Sequence, residues 1–138
     1  MAITATHRFG FNLETRLQPA IEQFLEEPLV KTASRYCEID WKSSRSKHWA
    51  VELKGRPKYR ITDGKYQDST SFPTWMVPTT KRKPDGYEDL VIWYYWEADD
   101  SLWYWCWDEE SAKTFEVWPN KNGQLTYHIP AHLFTRVE

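Results

Sequence analysis

The chain has 138 residues, 41% hydrophobic and 28% charged, with a net charge of −2 and an aromatic complement of nine Trp, eight Tyr and six Phe. That length predicts one domain, residues 1–138, and the aromatic content excludes intrinsic disorder, while the lack of any heptad or Gly-x-y period excludes coiled coil and collagen. No apolar run approaches the ~18–20 residues that span a bilayer, and the N-terminus lacks the apolar core of a secretory signal, so a cytoplasmic protein without a membrane partner is expected.

Leu13, Leu17, Ile21, Phe24 and Leu25 recur at three- and four-residue spacing, with Glu22, Gln23 and Glu26 on the other side, which predicts an amphipathic helix closed by Pro28. Pro19 belongs in the first turn of that helix if Thr15 is its N-cap. From residue 34 the period becomes two. Cys37, Ile39 and Trp41 alternate with Tyr36, Glu38 and Asp40, and after a Ser- and Lys/Arg-rich turn Trp49, Val51 and Leu53 alternate with Ala50, Glu52 and Lys54. An antiparallel hairpin with one buried face is expected, with Cys37 as a small core hydrophobe and Cys106 likewise in its own strand.

Residues 55–71 are polar and aperiodic, and 72–80 read as extended between two prolines. The strongest strand signal is the pair 89–97 and 101–107, apolar on both faces and therefore central or covered on both sides. A further pair, 114–118 and 124–129, precedes a helical turn at 131–134. One helix followed by strands is an α+β order, an N-terminal helix packed on a mostly antiparallel mixed sheet with an aromatic-rich hairpin.

The hairpin face opposite its core carries Glu38, Asp40, Glu52 and Lys54. A five-residue turn sets Asp40 across from Ala50 and Glu38 across from Glu52, which makes Asp40 and Glu52 diagonal neighbours roughly 7–8 Å apart at Cα. Two carboxylates so placed suit a hard cation such as Mg²⁺, which takes one or two protein carboxylates and leaves its other positions to water and phosphate. A lysine two residues beyond Glu52, on the same side of the strand, can meet charge developing on a phosphoryl group.

Asp40 followed, after eleven residues, by Glu52-Leu53-Lys54 resembles the PD-(D/E)XK nuclease superfamily. The resemblance covers residues 12–56 and implies a restriction-endonuclease-like core of the compact phage, homing-type or resolvase-like kind. It implies a Mg²⁺-dependent endonuclease, with Mn²⁺ able to substitute, that hydrolyses DNA. Asp40, Glu52 and the Leu53 carbonyl would hold metal and Lys54 would be catalytic. A glutamate of the first helix, Glu14, would complete the site, with Glu38 as the other carboxylate available. The family pattern also expects a helix soon after the Glu-x-Lys strand, for which 65–71 is the only stretch. Compact members often dimerise, and the surplus Trp and Tyr could supply a homodimer interface.

Since the net charge is slightly negative, DNA contact must come from local patches. Lys42, Arg45, Lys47 and His48 beside the hairpin turn, Arg56 and Lys58 after the catalytic lysine, and the 81–83 cluster are the candidates. A non-catalytic nucleic-acid-binding module is the rival reading, with Trp93, Tyr95, Trp103, Trp105 and Trp107 as a stacking platform. His128 and His132 lack the accompanying ligands of a zinc site.

Overall fold

A computed structural model of the chain describes residues 5–32, 39–60 and 64–137, with side chains from residue 12 onward. Helix α1 spans Ala5–Leu25 and lays Leu13 and Ile21 fully, and Leu17 and Leu25 partly, into the core. It starts well before Thr15, so Pro19 lies in the helix interior rather than its first turn. Pro19 sits on the exposed side, where the missing hydrogen bond disturbs no packing.

The end of α1 is a Schellman motif: the N–H of Glu27 reaches the carbonyl of Glu22 and that of Glu26 reaches Gln23. Glu26 holds the left-handed position at φ 56°, where a side chain is strained and glycine is not. Glu26→Gly should therefore raise stability by up to ~1 kcal/mol, read as a higher urea midpoint at unchanged slope.

The strands are β1 Leu29–Lys31, β2 Trp41–Ser43, β3 Trp49–Arg56, β4 Thr74–Pro78, β5 Asp89–Trp96, β6 Ser101–Cys106, β7 Glu116–Pro119, β8 Leu125–Pro130 and β9 Thr135–Arg136. One short helix, α2 Glu109–Ala112, is capped by Asp108, and a 3₁₀ turn occupies Ala131–Leu133. Six strands form one sheet in the order β1-β2-β3-β5-β6-β9, and β4-β8-β7 form a second. The class is α+β. All pairs are antiparallel except β3 with β5, which run parallel from Trp49↔Asp89 to Arg56↔Trp96.

A parallel pair needs a crossover. Here it is the segment 57–88, which carries β4 of the second sheet. Its described residues contain no α-helix, and 65–71 in particular do not form one. Asp68 instead accepts from the Thr70 N–H at 2.8 Å and from the Thr70 hydroxyl, a local bond that competes with a helical turn.

The six-stranded sheet is buried on both faces. On one side α1 covers Trp41, Val51, Leu53, Val91, Trp93 and Tyr95. On the other the second sheet covers Ala50, Leu90, Ile92, Tyr94 and Trp96 with Trp75, Val77 and Ile129. Strand β5 is thus apolar on both faces because it lies between two layers. Trp75 packs its ring within 5.5 Å of those of Tyr94, Trp96, Trp103 and Phe134. The indole N–H groups of Trp75, Trp93, Trp96 and Trp103 find no acceptor among the described residues, a cost of ~1–3 kcal/mol each that the aromatic burial must exceed.

Three details depart from the sequence reading. The hairpin register is Trp41↔Val51 and Lys42↔Ala50, two residues away from the expected pairing, because the connection from Ser43 to Trp49 is held by a bond from the Trp49 N–H to the Ser43 hydroxyl. Ile39 and Trp41 enter opposite cores, since the chain bends at Asp40. Cys106 is exposed at the end of β6, and Cys37 lies outside the described residues.

Candidate functional site

Strand β3 alternates its side chains, so Val51 and Leu53 face α1 while Glu52 and Lys54 project on the Ala50 side, toward the second sheet. That face is not solvated, as the one-buried-face reading required: Glu52 is 4% exposed and Lys54 is partly buried. A charged pair is therefore held between two packed layers.

Asp40 joins them from the bend before β2. The observed register, continued by one residue, sets Asp40 across from Glu52 rather than diagonal to it. Its N–H donates to the Val51 carbonyl at 2.9 Å, and its Oδ2 accepts from the Leu53 N–H at 2.8 Å. The carboxylate thus takes the place of a ladder carbonyl beside β3, which fixes it against the Glu-x-Lys segment.

Glu14 arrives from α1. Its carboxyl is pushed up to about 7 by burial, by the negative charge of Asp40 and by a hydrogen bond with the Asp40 side chain, against the pull of Lys31. Glu52 is pushed up to about 8 by burial and then by Asp40, with Lys81 and Lys54 pulling the other way. Burial lowers the Lys54 ammonium below its ordinary range, offset in part by the neighbouring Glu52. Lys31 Nζ lies 3.2 Å from Glu14 Oε2, and Lys81 Nζ lies 3.2 Å from Glu52 Oε2, an oxygen that accepts no directed hydrogen bond among the described residues.

Asp40 therefore links Glu14 and Lys31 on one side with Glu52, Lys54 and Lys81 on the other in one electrostatic network. Two of its carboxyls resist ionisation even with three lysines close by. Glu38 lies outside the described residues. Lys31 and Lys81 are members the sequence reading did not place: Lys81 appeared only as part of a basic loop, and nothing in the spacing of either residue ties it to Glu14 or Glu52.

The proposed DNA-contacting residues divide. Arg56 lies beyond Lys54 and donates through Nε to the Tyr94 hydroxyl at 2.8 Å, and Lys58 Nζ sits 4.5 Å from the Tyr66 ring centre. Arg45, Lys47 and His48 are at the opposite end of β3, with His48 about 13 Å from Glu52 along the strand. They do not surround the carboxyls. His48 is itself ringed by acids, with Asp89 at 3.1 Å, Glu88 at 3.9 Å and Glu27 at 4.0 Å, an environment that disfavours phosphate. Lys42 is partly buried on β2.

His48, Glu88 and Asp89 are the one set of three His, Cys, Asp or Glu groups among the described residues whose ligand atoms fall within 4.8 Å of one another. The Glu14, Asp40 and Glu52 carboxyls are more widely spread, with Lys81 against Glu52. Of the aromatics considered for stacking, Trp93, Tyr95 and Trp105 are at most 8% exposed because layers cover both faces, while Trp103 and Trp107 are partly buried.

Among the described residues no helix is long and apolar enough to cross a membrane. Compared with protein-family models, curated proteins and solved structures, the chain finds no match.

Proposed function

We propose that this chain is a metal-dependent deoxyribonuclease of the PD-(D/E)XK kind, hydrolysing DNA phosphodiester bonds with Mg²⁺ or, in its place, Mn²⁺. The observation that carries the reading is that Asp40 is coupled both to Glu14 and to the Glu52–Lys54 pair, with the two glutamate carboxyls raised to about 7 and 8 by burial and by the charge of Asp40. Burial and a neighbouring negative charge raise carboxyl pKa values in this way, and groups so perturbed cluster at functional sites. A divalent cation bound beside these acids would replace the protons that burial makes them hold.

Hard oxygen donors of this kind fit Mg²⁺: Asp40, Glu52 and the Leu53 carbonyl would hold it, with Glu14 as a further carboxyl. A bound cation there would supply Lewis-acid polarisation of phosphate and a more acidic water. Lys54, kept partly out of water on the same side of β3 as Glu52, would stabilise the charge that gathers on the phosphoryl oxygens as the water–phosphorus bond forms and the phosphorus–oxygen ester bond breaks. Lys81 adds a second positive charge on the Glu52 side, and Asp40 holds the Leu53 backbone in place through its N–H.

The succession of helix, short hairpin and a strand parallel to the Glu-x-Lys strand supports a restriction-endonuclease-like core, with β4 in the crossover where that core has a helix. The test is incubation of supercoiled, linear and branched DNA with the protein in Mg²⁺, Mn²⁺ or EDTA. Metal-dependent nicking that Asp40→Asn abolishes is expected. Intact DNA in every metal, from a protein shown to be folded, would refute the reading.

A further inference from the structure

A cleft of ≈790 Å³ opens at Lys54 and runs away from the carboxyls, between the end of β3, the second sheet and the 120–124 loop. We propose that it takes an unpaired DNA strand leading into the site, so that the preferred substrate is single-stranded or carries a single-stranded branch. The inference rests on the nuclease reading for the word substrate and on the cleft's own chemistry for the strand.

Three features select that occupant. Among the described residues the lining includes Lys54, Arg56 and Lys121 and no Asp or Glu, in a chain whose acids outnumber its Lys and Arg by 20 to 18. Such a wall attracts a polyanion. Second, Tyr59 and Phe72 line it while remaining 50% and 43% exposed, unlike the buried aromatics of the sheet. Phe72 is stacked on Trp96 at 6.2 Å with the rings 28° apart, so it is held with one partner already in place. Third, Gln67, Asn122 and Gln124 bring amide groups that both donate and accept, which suits the edges of unpaired bases.

Size argues against a duplex. A volume of ≈790 Å³ lies within the ~300–1,000 Å³ range of pockets that enclose small ligands, room for roughly one or two splayed nucleotides and not for stacked base pairs. Continuity with the site follows from Lys54, which belongs to both. Arg56, tied to Tyr94 in the cleft wall, then lies one short step along the strand's backbone.

The experiment is fluorescence anisotropy in EDTA, at about 0.15 M salt, with labelled oligo-dT, oligo-U, a blunt duplex and a duplex bearing a dT overhang. Oligo-dT and the overhang should bind roughly tenfold tighter than the blunt duplex, and Tyr59→Ala and Phe72→Ala should each weaken oligo-dT binding by about tenfold while leaving the blunt duplex unchanged. Both positions are exposed, so the variants should keep the wild-type circular dichroism. Equal or tighter binding of the blunt duplex, preference for oligo-U, or indifference to both substitutions would overturn the proposal. Cleavage in Mg²⁺ is read separately. Metal-dependent cutting without strand selectivity removes the cleft and keeps the nuclease, whereas selective binding without cutting removes the nuclease and keeps the cleft.

Discussion

Lys54→Met should slow Mg²⁺-dependent DNA cleavage by about 10²–10³-fold, the usual loss when one group that stabilises transition-state charge is removed. The side chain stands partly buried beside Glu52, where water screens its charge poorly and an ammonium is worth most to a phosphoryl oxygen. Methionine keeps the unbranched apolar stem, so the packing of β3 on β5 is preserved and the thermal midpoint should hold or rise. Ca²⁺ titration by calorimetry should still report binding, because the carboxyls remain. A variant that cuts DNA at the wild-type rate would show that Lys54 is a buried structural cation and no more.

Glu52→Gln should abolish cleavage and yet make the protein more stable at pH 9. The sign follows from proton binding. Folded Glu52 keeps its proton up to about pH 8, whereas in the unfolded chain it gives it up near 4.5. Between those values the folded state binds more protons, so stability falls as pH rises and levels off above about 8. Over that interval the loss is roughly 3–5 kcal/mol, at 1.36 kcal/mol for each pKa unit. Glutamine keeps the shape and never ionises. The two proteins should therefore have nearly equal urea midpoints at pH 4 and diverge at pH 9 in favour of the variant. Glu14 acts with the same sign between 4.5 and about 7, in a more exposed setting that weakens its effect.

Mg²⁺ should reverse the difference, raising the wild-type midpoint most above pH 8, where the carboxyls are ready to ionise, and raising the variant's little. Cleavage by the wild type should climb across the same interval. A wild-type midpoint that is flat from pH 5 to 9, with or without Mg²⁺, would refute this account of the site. Residues that serve function at a cost in stability behave in this way, and Glu52 is placed to do so.

Much of the architecture was readable along the chain because it is governed by neighbours three or four residues apart. The stripe through Leu13, Leu17 and Ile21 makes α1 bury that side, and the β-branched and aromatic run at 89–96 makes β5 a strand covered on both faces. The turn at 97–100 and the β7–β8 pair follow from the same local chemistry. Glu52 and Lys54 were recognisable as a pair because alternation puts residues two apart on one side of any strand.

Long-range partners carry no such signal. Nothing around Trp49 says that β3 runs parallel to β5, nor that β4 closes over the Glu52 face, since β5 lies beyond the whole of 57–88 and β4 in the middle of it. The charged face therefore looked solvated, and only the second sheet's packing turned it into a buried site. The two-residue register difference has the same origin: it depends on how the 43–49 connection is bonded, which the counting of alternate residues leaves open.

Charge was the least readable quantity of all. Basic residues adjacent in sequence to the hairpin were assigned to the site, but a strand keeps its two ends apart, and Lys47 and His48 remain at the far one. Lys31 and Lys81, remote in sequence, come within 3.2 Å of Glu14 and Glu52 because β1 is bonded along α1 and the loop after β4 reaches the Glu52 side of β3. Local pattern was enough to make a helix, a hairpin and an aromatic core; the folded chain decided which acids would share one low-dielectric space, and so which of them would hold protons near neutral pH.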